Sequence, residues 1–189
     1  LIMSSNGWTN NQTYKWNYTI TDANQTFTNV EATVNNAKDA VGNLQQTATI
    51  NSQFNIDMTN PTVDIAVSQS TIYDSDVAAA AFSVTASFSE QMDNAAPDIA
   101  FTSGVENTLT NVSGSWNAGN TVYTFIYDIE DDNVALFGID ITISNAKDAQ
   151  QNLQIEKTVN DLFDIDMTNP TASISVNKNI ITDNDIGEN

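Results

Sequence analysis

Residues 54–62 read "FNIDMTNPT" and residues 163–171 read "FDIDMTNPT", one phrase with a single change, 109 positions apart (163 − 54 = 109). The offset is general. "NAKDAVGNLQ" at 36–45 returns as "NAKDAQQNLQ" at 145–154, and Ile72, Asp74 and Asp76 have a fainter echo in Ile181, Asp183 and Asp185. A fixed period across three landmarks marks a tandem array. Solenoid units run to about 50 residues, so this longer period suits an autonomous small domain. The chain then divides into 1–60, the latter part of one unit; 61–169, a complete unit; and 170–189, which opens a third. Beginning at Leu1 without a start methionine, it reads as an excerpt of a longer protein.

Apolar and polar residues alternate along the whole sequence, the period-two sign of half-buried strands. In the complete unit Val63, Ile65 and Val67 share a face, as do Phe82, Val84, Ala86 and Phe88. Tyr123, Phe125, Tyr127 and Ile129 form another such row, and Ile139, Ile141 and Ile143 another. The pattern predicts strands at 63–68, 80–88, 97–102, 121–129, 138–144 and 157–165, with 103–116 a short edge strand or a loop. Turn-rich stretches such as "DSD", "NAGN" and "EDDN" separate them. About seven short strands without a helical period predict an all-β fold, a two-sheet sandwich of immunoglobulin type repeated through short linkers.

Residues 1–60 repeat the latter half of this scheme. Tyr14, Trp16, Tyr18 and Ile20 stand where Tyr123, Phe125, Tyr127 and Ile129 stand, and Val30, Ala32 and Val34 answer Ile139, Ile141 and Ile143. All these side chains are expected in a core. Trp8 and Trp116 lie 108 apart (116 − 8 = 108), which places a one-residue gap in the loop that follows. Because 1–60 lacks the first strands of a unit, it is predicted to be poorly ordered or to borrow a strand.

Five lysines face 24 carboxylates, with no arginine, histidine or cysteine, for a net charge of −19. That balance argues against nucleic acid and against an anionic membrane surface. The complete unit carries 17 acids and two lysines, residues 1–60 only four and two. Solubility in a salty or cold habitat is one reading of this acidity; collection of hard cations is the other. Without disulfides the fold must rest on its core, on metal, or on both. No apolar run approaches the roughly 18 residues of a membrane span. With no histidine or cysteine, no phosphate-cradling loop and no nucleophile elbow, the chain does not read as an enzyme.

The order of motifs resembles the bacterial immunoglobulin-like repeats of giant surface adhesins and biofilm-associated proteins. Those repeats open with an Asp-Thr-x-x-Pro-Thr phrase, carry Ser-Glu at the end of the second strand and show Asp-x-x-Gly-Asn late in the domain. Here the counterparts are Asp57 to Thr62 and Asp166 to Thr171, Ser89-Glu90, and Asp39 to Asn43. Met58 and Met167 replace the usual Thr, and Gln151 stands where the first copy has Gly42. If that turn needs positive φ, Gln151 costs on the order of 1 kcal/mol, and the second turn is expected to differ in shape. The resemblance implies an extracellular, bacterial cell-surface protein in which these repeats contact their neighbours. A host-cell, surface or glycan ligand would belong to other domains.

In such a sandwich, the linker and the loops after 80–88 and after 138–144 share one end. Asp57, Glu90 and Asp148 would converge there, with Asp93 beside them, and Asp166 and Asp39 are the counterparts of Asp57 and Asp148 in adjoining units. At the opposite end Asp74 and Asp76 would meet Glu130, Asp131 and Asp132 near the next linker. Oxygen-only ligation favours calcium or magnesium over zinc or copper, and Ca²⁺ takes 6–8 oxygens at about 2.3–2.6 Å. Two other readings stay open. A glycan- or protein-binding module would use its loops, with Trp8 and Trp116 as stacking residues. A self-formed isopeptide bond would use Lys38 or Lys147, the only lysines at equivalent positions.

Overall fold

The computed structural model describes residues 1–187, the side chains of 111 and 112 excepted, so the last two positions of the 170–189 unit lie outside the described residues. The chain is all-β. In order it forms β1 (Ile2–Trp8), β2 (Tyr14–Thr19), β3 (Thr26–Val34), β4 (Ala48–Asp57), β5 (Val63–Val67), β6 (Thr71–Tyr73), β7 (Ala78–Phe88), β8 (Asp98–Phe101), β9 (Leu109–Trp116), β10 (Val122–Ile129), β11 (Ala135–Ser144) and β12 (Lys157–Asp166). Two single-turn 3₁₀ segments, Asp74–Asp76 and Asp183–Asp185, complete the list.

Residues 61–169 build two four-stranded sheets, ordered β5-β7-β10-β9 and β6-β12-β11-β8. All pairings are antiparallel except β6 with β12. The alternation read from sequence is realised most cleanly in β10, where Tyr123, Phe125, Tyr127 and Ile129 are buried and the residues between them only half-buried. They meet Phe82, Val84, Ile141, Ile143, Phe163 and Ile165 in one apolar cluster, each buried aliphatic or aromatic side chain contributing roughly 1.5–3 kcal/mol. The Phe82 and Phe163 rings, one from each sheet, lie 4.9 Å apart. Gly114 on β9 has a packing reason: a Cβ there would fall 2.5 Å from the Tyr123 hydroxyl oxygen.

Two local expectations change. The 103–116 stretch forms a full eight-residue strand, β9. "TIY" at 71–73, just before a predicted turn, forms the short parallel strand β6, whose Ile72 is fully buried.

Residues 1–60 form two hairpins, β1–β2 and β3–β4, each a separate two-stranded sheet. Their backbone copies the complete unit. The bulges of β3–β4, between Phe27 and Val30 and between Val30 and Ala32, recur in β11–β12 between Leu136 and Ile139 and between Ile139 and Ile141. Positive φ recurs in pairs too: Asn24 with Asn133, Asn29 with Gly138, Asn36 with Asn145, Gly42 with Gln151, Ser52 with Asp161. The one-residue gap lies in the hairpin loop, since Trp8 pairs with Tyr14 and Trp116 with Tyr123.

The core expectation fails for this half. Trp8, Trp16 and Tyr18 are exposed at 60%, 40% and 51%, whereas Tyr123, Phe125 and Tyr127 are buried. The side chains alternate as before, but no strand of the β5–β8 set lies over them. Nor do residues 170–182 form a strand, because a strand placed like β5 needs a neighbour placed like β7.

Candidate metal centre

Asp148 sits in the connection between β11 and β12, in a turn closed by its own N–H donating to the Asn152 carbonyl (3.1 Å) and by Gln151 N–H donating to the Asp148 carbonyl (3.1 Å). Its Oδ1 accepts the N–H groups of Gln150 and Asn152, each at 2.8 Å, and its Oδ2 accepts the Asn152 side-chain amide at 2.8 Å. This is the Asx-type geometry for which Asp is favoured in turns. It holds a carboxylate rigid although the residue is fully buried. The first copy, at Asp39, makes the same three bonds, to Val41 N–H, Asn43 N–H and the Asn43 amide. The shape difference expected at Gln151 does not occur: φ is +73° there and +93° at Gly42, because the hydrogen bonds of the turn dictate the same conformation.

Glu90 follows β7. Its neighbour Ser89 is tied to Thr62, backbone N–H to carbonyl at 3.0 Å and Thr62 N–H to Ser89 Oγ at 3.0 Å. Met92 bridges to Asp148, and Asp93 N–H donates to the Lys147 carbonyl at 2.8 Å, so the β7 end and the 146–154 turn are held side by side. Asp57 arrives from the other direction, as the last residue of β4. Its Oδ1 accepts the Thr26 hydroxyl at 2.7 Å, and its backbone carbonyl accepts the Asn152 side-chain amide at 3.2 Å.

These three elements bring one carboxylate oxygen each from Asp57, Glu90 and Asp148 within 4.8 Å of one another. Donors at 2.3–2.6 Å from a common Ca²⁺ lie no farther apart than about 5 Å, so the spacing fits a single such ion. Desolvation, then the charges of Asp148 and Asp57, push the Glu90 carboxyl above its usual range. Like charges gathered in this way favour either a proton or a cation between them.

The other acids lie apart from this group. Asp93 is adjacent but engaged by Ala95 N–H and the Gln151 amide. Asp39 is exposed, and hydrogen bonds from the Asn43 side chain and nearby backbone hold it below the usual carboxylate range. Asp166 is exposed at the end of β12. Asp76 accepts Tyr73 N–H, Asp131 accepts Asn133 N–H and Asp132 accepts the Asn107 amide, while Asp74 opens the 3₁₀ turn. Among the described residues, Asp57, Glu90 and Asp148 are the one group of three with metal-ligand spacing.

Asn152 lies outside the carboxylates that the sequence points to, although its amide links the Asp148 carboxylate to the linker backbone. Its signal was present, as the closing Asn of a repeated turn. The linkers carry a second unforeseen tie. Asn60 N–H donates to Asn24 Oδ1 (2.9 Å) and Met58 N–H to the Gln25 carbonyl (3.2 Å); Asn169 and Met167 do the same to Asn133 (2.8 Å) and Val134 (2.8 Å). Each linker is thus bonded back to the unit before it.

Among the described residues, no helix is long and apolar enough to cross a membrane. No family profile, curated protein or solved structure matches the chain.

Proposed function

We propose that the chain is a run of extracellular immunoglobulin-like repeats from a bacterial surface adhesin, acting as a spacer stiffened by calcium at its joints. The observation that carries this is the meeting of Asp57, from the end of one unit, with Glu90 and Asp148 of the next, at single-ion spacing. A cation there attaches the linker carboxylate to two loops of the following unit. The hydrogen bonds from Asn60 and Met58 already fasten the same linker backwards, so an ion would remove most of the freedom left at the joint. The strong negative charge and the absence of cysteine and histidine agree with an oxygen-ligated site. A rod of this kind holds a distal binding domain away from the cell in adhesion or biofilm formation.

Small-angle scattering and thermal melting with calcium and with chelator test the proposal. The expected result is a longer maximum dimension and a higher Tm with calcium. Identical values in both conditions sink it.

A directly binding module is the second reading. It is favoured by a hollow of about 630 Å³ lined by Trp8, Tyr14 and Trp16 with Asn35, Gln45 and Lys38, a setting for a sugar ring. Against it, the counterparts Trp116, Tyr123 and Phe125 pack on one another and on Phe88. The hollow therefore corresponds to a core position. Saturable binding on a glycan array, abolished by Trp8→Ala, would favour this reading over the spacer.

A further inference from the structure

We infer that the complete unit, residues 61–169, bears tension along its long axis, with its opening strands β5–β6 and its closing strand β12 loaded in shear. This property belongs to the strand topology and does not depend on the metal centre.

The chain enters and leaves the unit at opposite ends of the sandwich. It enters at Pro61, whose carbonyl accepts Ile155 N–H at 2.8 Å just before β12 begins. Ser70, just before β6, accepts Asp164 N–H at 3.0 Å near the end of β12. β5, β6 and β12 therefore run the same way, and β12 delivers the chain about 33 Å on, the length of ten strand residues. Tension on the two linkers draws β5–β6 backwards and β12 forwards, so these strands are pulled past one another along their length.

Slip in that direction meets resistance at every rung together. β6 pairs parallel with β12, Asp164 opposite Thr71, Ile165 opposite Ile72 and Asp166 opposite Tyr73. In the other sheet β5 pairs antiparallel with β7, from Val63 opposite Phe88 to Val67 opposite Val84. Ser68 extends that pairing, its N–H donating to the Ser83 carbonyl at 2.9 Å and its Oγ accepting Ser83 N–H at 3.0 Å. The opening stretch is thus gripped in both sheets. Interstrand bonds lie broadly across the strand direction, so a lengthwise pull loads all of them at once. A sideways pull at one end breaks them one after another.

Two side-chain features add to the grip. Ile72 is fully buried in the same apolar cluster as Phe163 and Ile165, and in a close-packed core it must leave its socket before β6 can slide. Asp76 clasps β6 from both sides: its Oδ2 accepts Tyr73 N–H at 2.8 Å and the Gln69 side-chain amide at 3.3 Å. Units joined in tandem carry any tension on the chain in series, and resistance to forced unfolding is set by the unfolding barrier along the pulling direction.

The chain has no cysteine, so introduced pairs give unique handles for optical tweezers. The 189-residue chain is pulled in chelator, at one loading rate, from exposed positions. Thr62→Cys with Thr168→Cys shears the strands. Thr62→Cys with Glu156→Cys peels them from the linker end, and Val77→Cys with Thr168→Cys from the far end. Rupture of the sheared unit should release about 330 Å of chain in one step, the extended length between the handles less the folded length. Its force should exceed that of either peeling pair by at least about twofold. Asp76→Ala should lower the shear force by about a quarter or more and leave the 62/156 force unchanged. A ratio below about twofold, gradual extension of the sheared unit without a single rupture, or a shear force indifferent to Asp76→Ala would each overturn the inference.

Discussion

The side-chain amide of Asn152 reaches the backbone carbonyl of Asp57 across 95 residues of sequence, at 3.2 Å, while the same amide also donates to the buried Asp148 carboxylate at 2.8 Å. One side chain thus ties the end of one unit to the turn that supplies a candidate ligand from the next. Removing it leaves a buried carboxylate one donor short. Asn152→Ala should lower stability by about 1–3 kcal/mol, read as a drop in the urea midpoint at unchanged m-value. An effect below about 0.3 kcal/mol would show that the contact carries no stability.

Calcium should raise stability by a definite amount. For a site of about 10⁻⁴–10⁻³ M affinity, calcium at about 10 mM adds roughly 1.4–2.7 kcal/mol. Asp148→Asn should abolish most of that increment. Equal melting curves for the native chain with and without calcium contradict the site.

Glu90 sets the pH dependence. Its folded-state carboxyl is raised above the usual carboxylate range, first by desolvation and then by Asp148 and Asp57. The folded chain therefore holds this proton more tightly than the unfolded chain, and stability falls as pH rises from about 4.5 through the raised value. In chelator, Glu90→Gln should stabilise slightly at neutral pH, by less than about 1 kcal/mol because the group is only partly buried and solvent still screens it, and be neutral near pH 4. With calcium present the sign should reverse. A variant destabilised equally in both conditions would exclude charge repulsion as the cause.

The left-handed turn offers a stabilising change. Gln151 sits at φ +73° where the first copy has glycine, and its side chain makes only a 3.3 Å bond to Asp93. Gln151→Gly should raise stability by roughly 0.5–1 kcal/mol by chemical denaturation. A loss instead would mean that the Asp93 contact outweighs the strain.

Equivalent aromatics should differ in importance. Phe125→Ala should cost about 3–5 kcal/mol, whereas Trp16→Ala should cost below about 0.5 kcal/mol. Phe125 is 5% exposed and Trp16 40%. Comparable losses at both positions would mean that residues 1–60 possess a covered core.

The strand pattern and the turn-rich stretches between strands were legible because each depends on neighbours in sequence, and the period of 109 because whole phrases recur at one offset. Tyr123, Phe125, Tyr127 and Ile129 alternate, and they are buried on one face. β6 was missed because three residues carry too little pattern to identify a strand; Ile72 is buried only because β12 lies beside it. The meeting of Asp57, Glu90 and Asp148 was anticipated from the layout of a sandwich. Nothing in the residues separated those three from Asp74, Asp131 or Asp132; Asp131 accepts Asn133 N–H within its own loop, and Asp132 accepts the Asn107 amide from 25 residues away.

The sequence by itself determined the repeat, the all-β class and the orientation of side chains along each strand, since a period of two places them on faces whatever the surroundings. Only the tertiary structure decided which faces are covered: Phe125 is enclosed while Trp16, its counterpart, meets solvent. It also decided which acids gather. Burial and like-charge proximity are properties of what the chain packs against, and alternation carries no record of whether a second sheet is there.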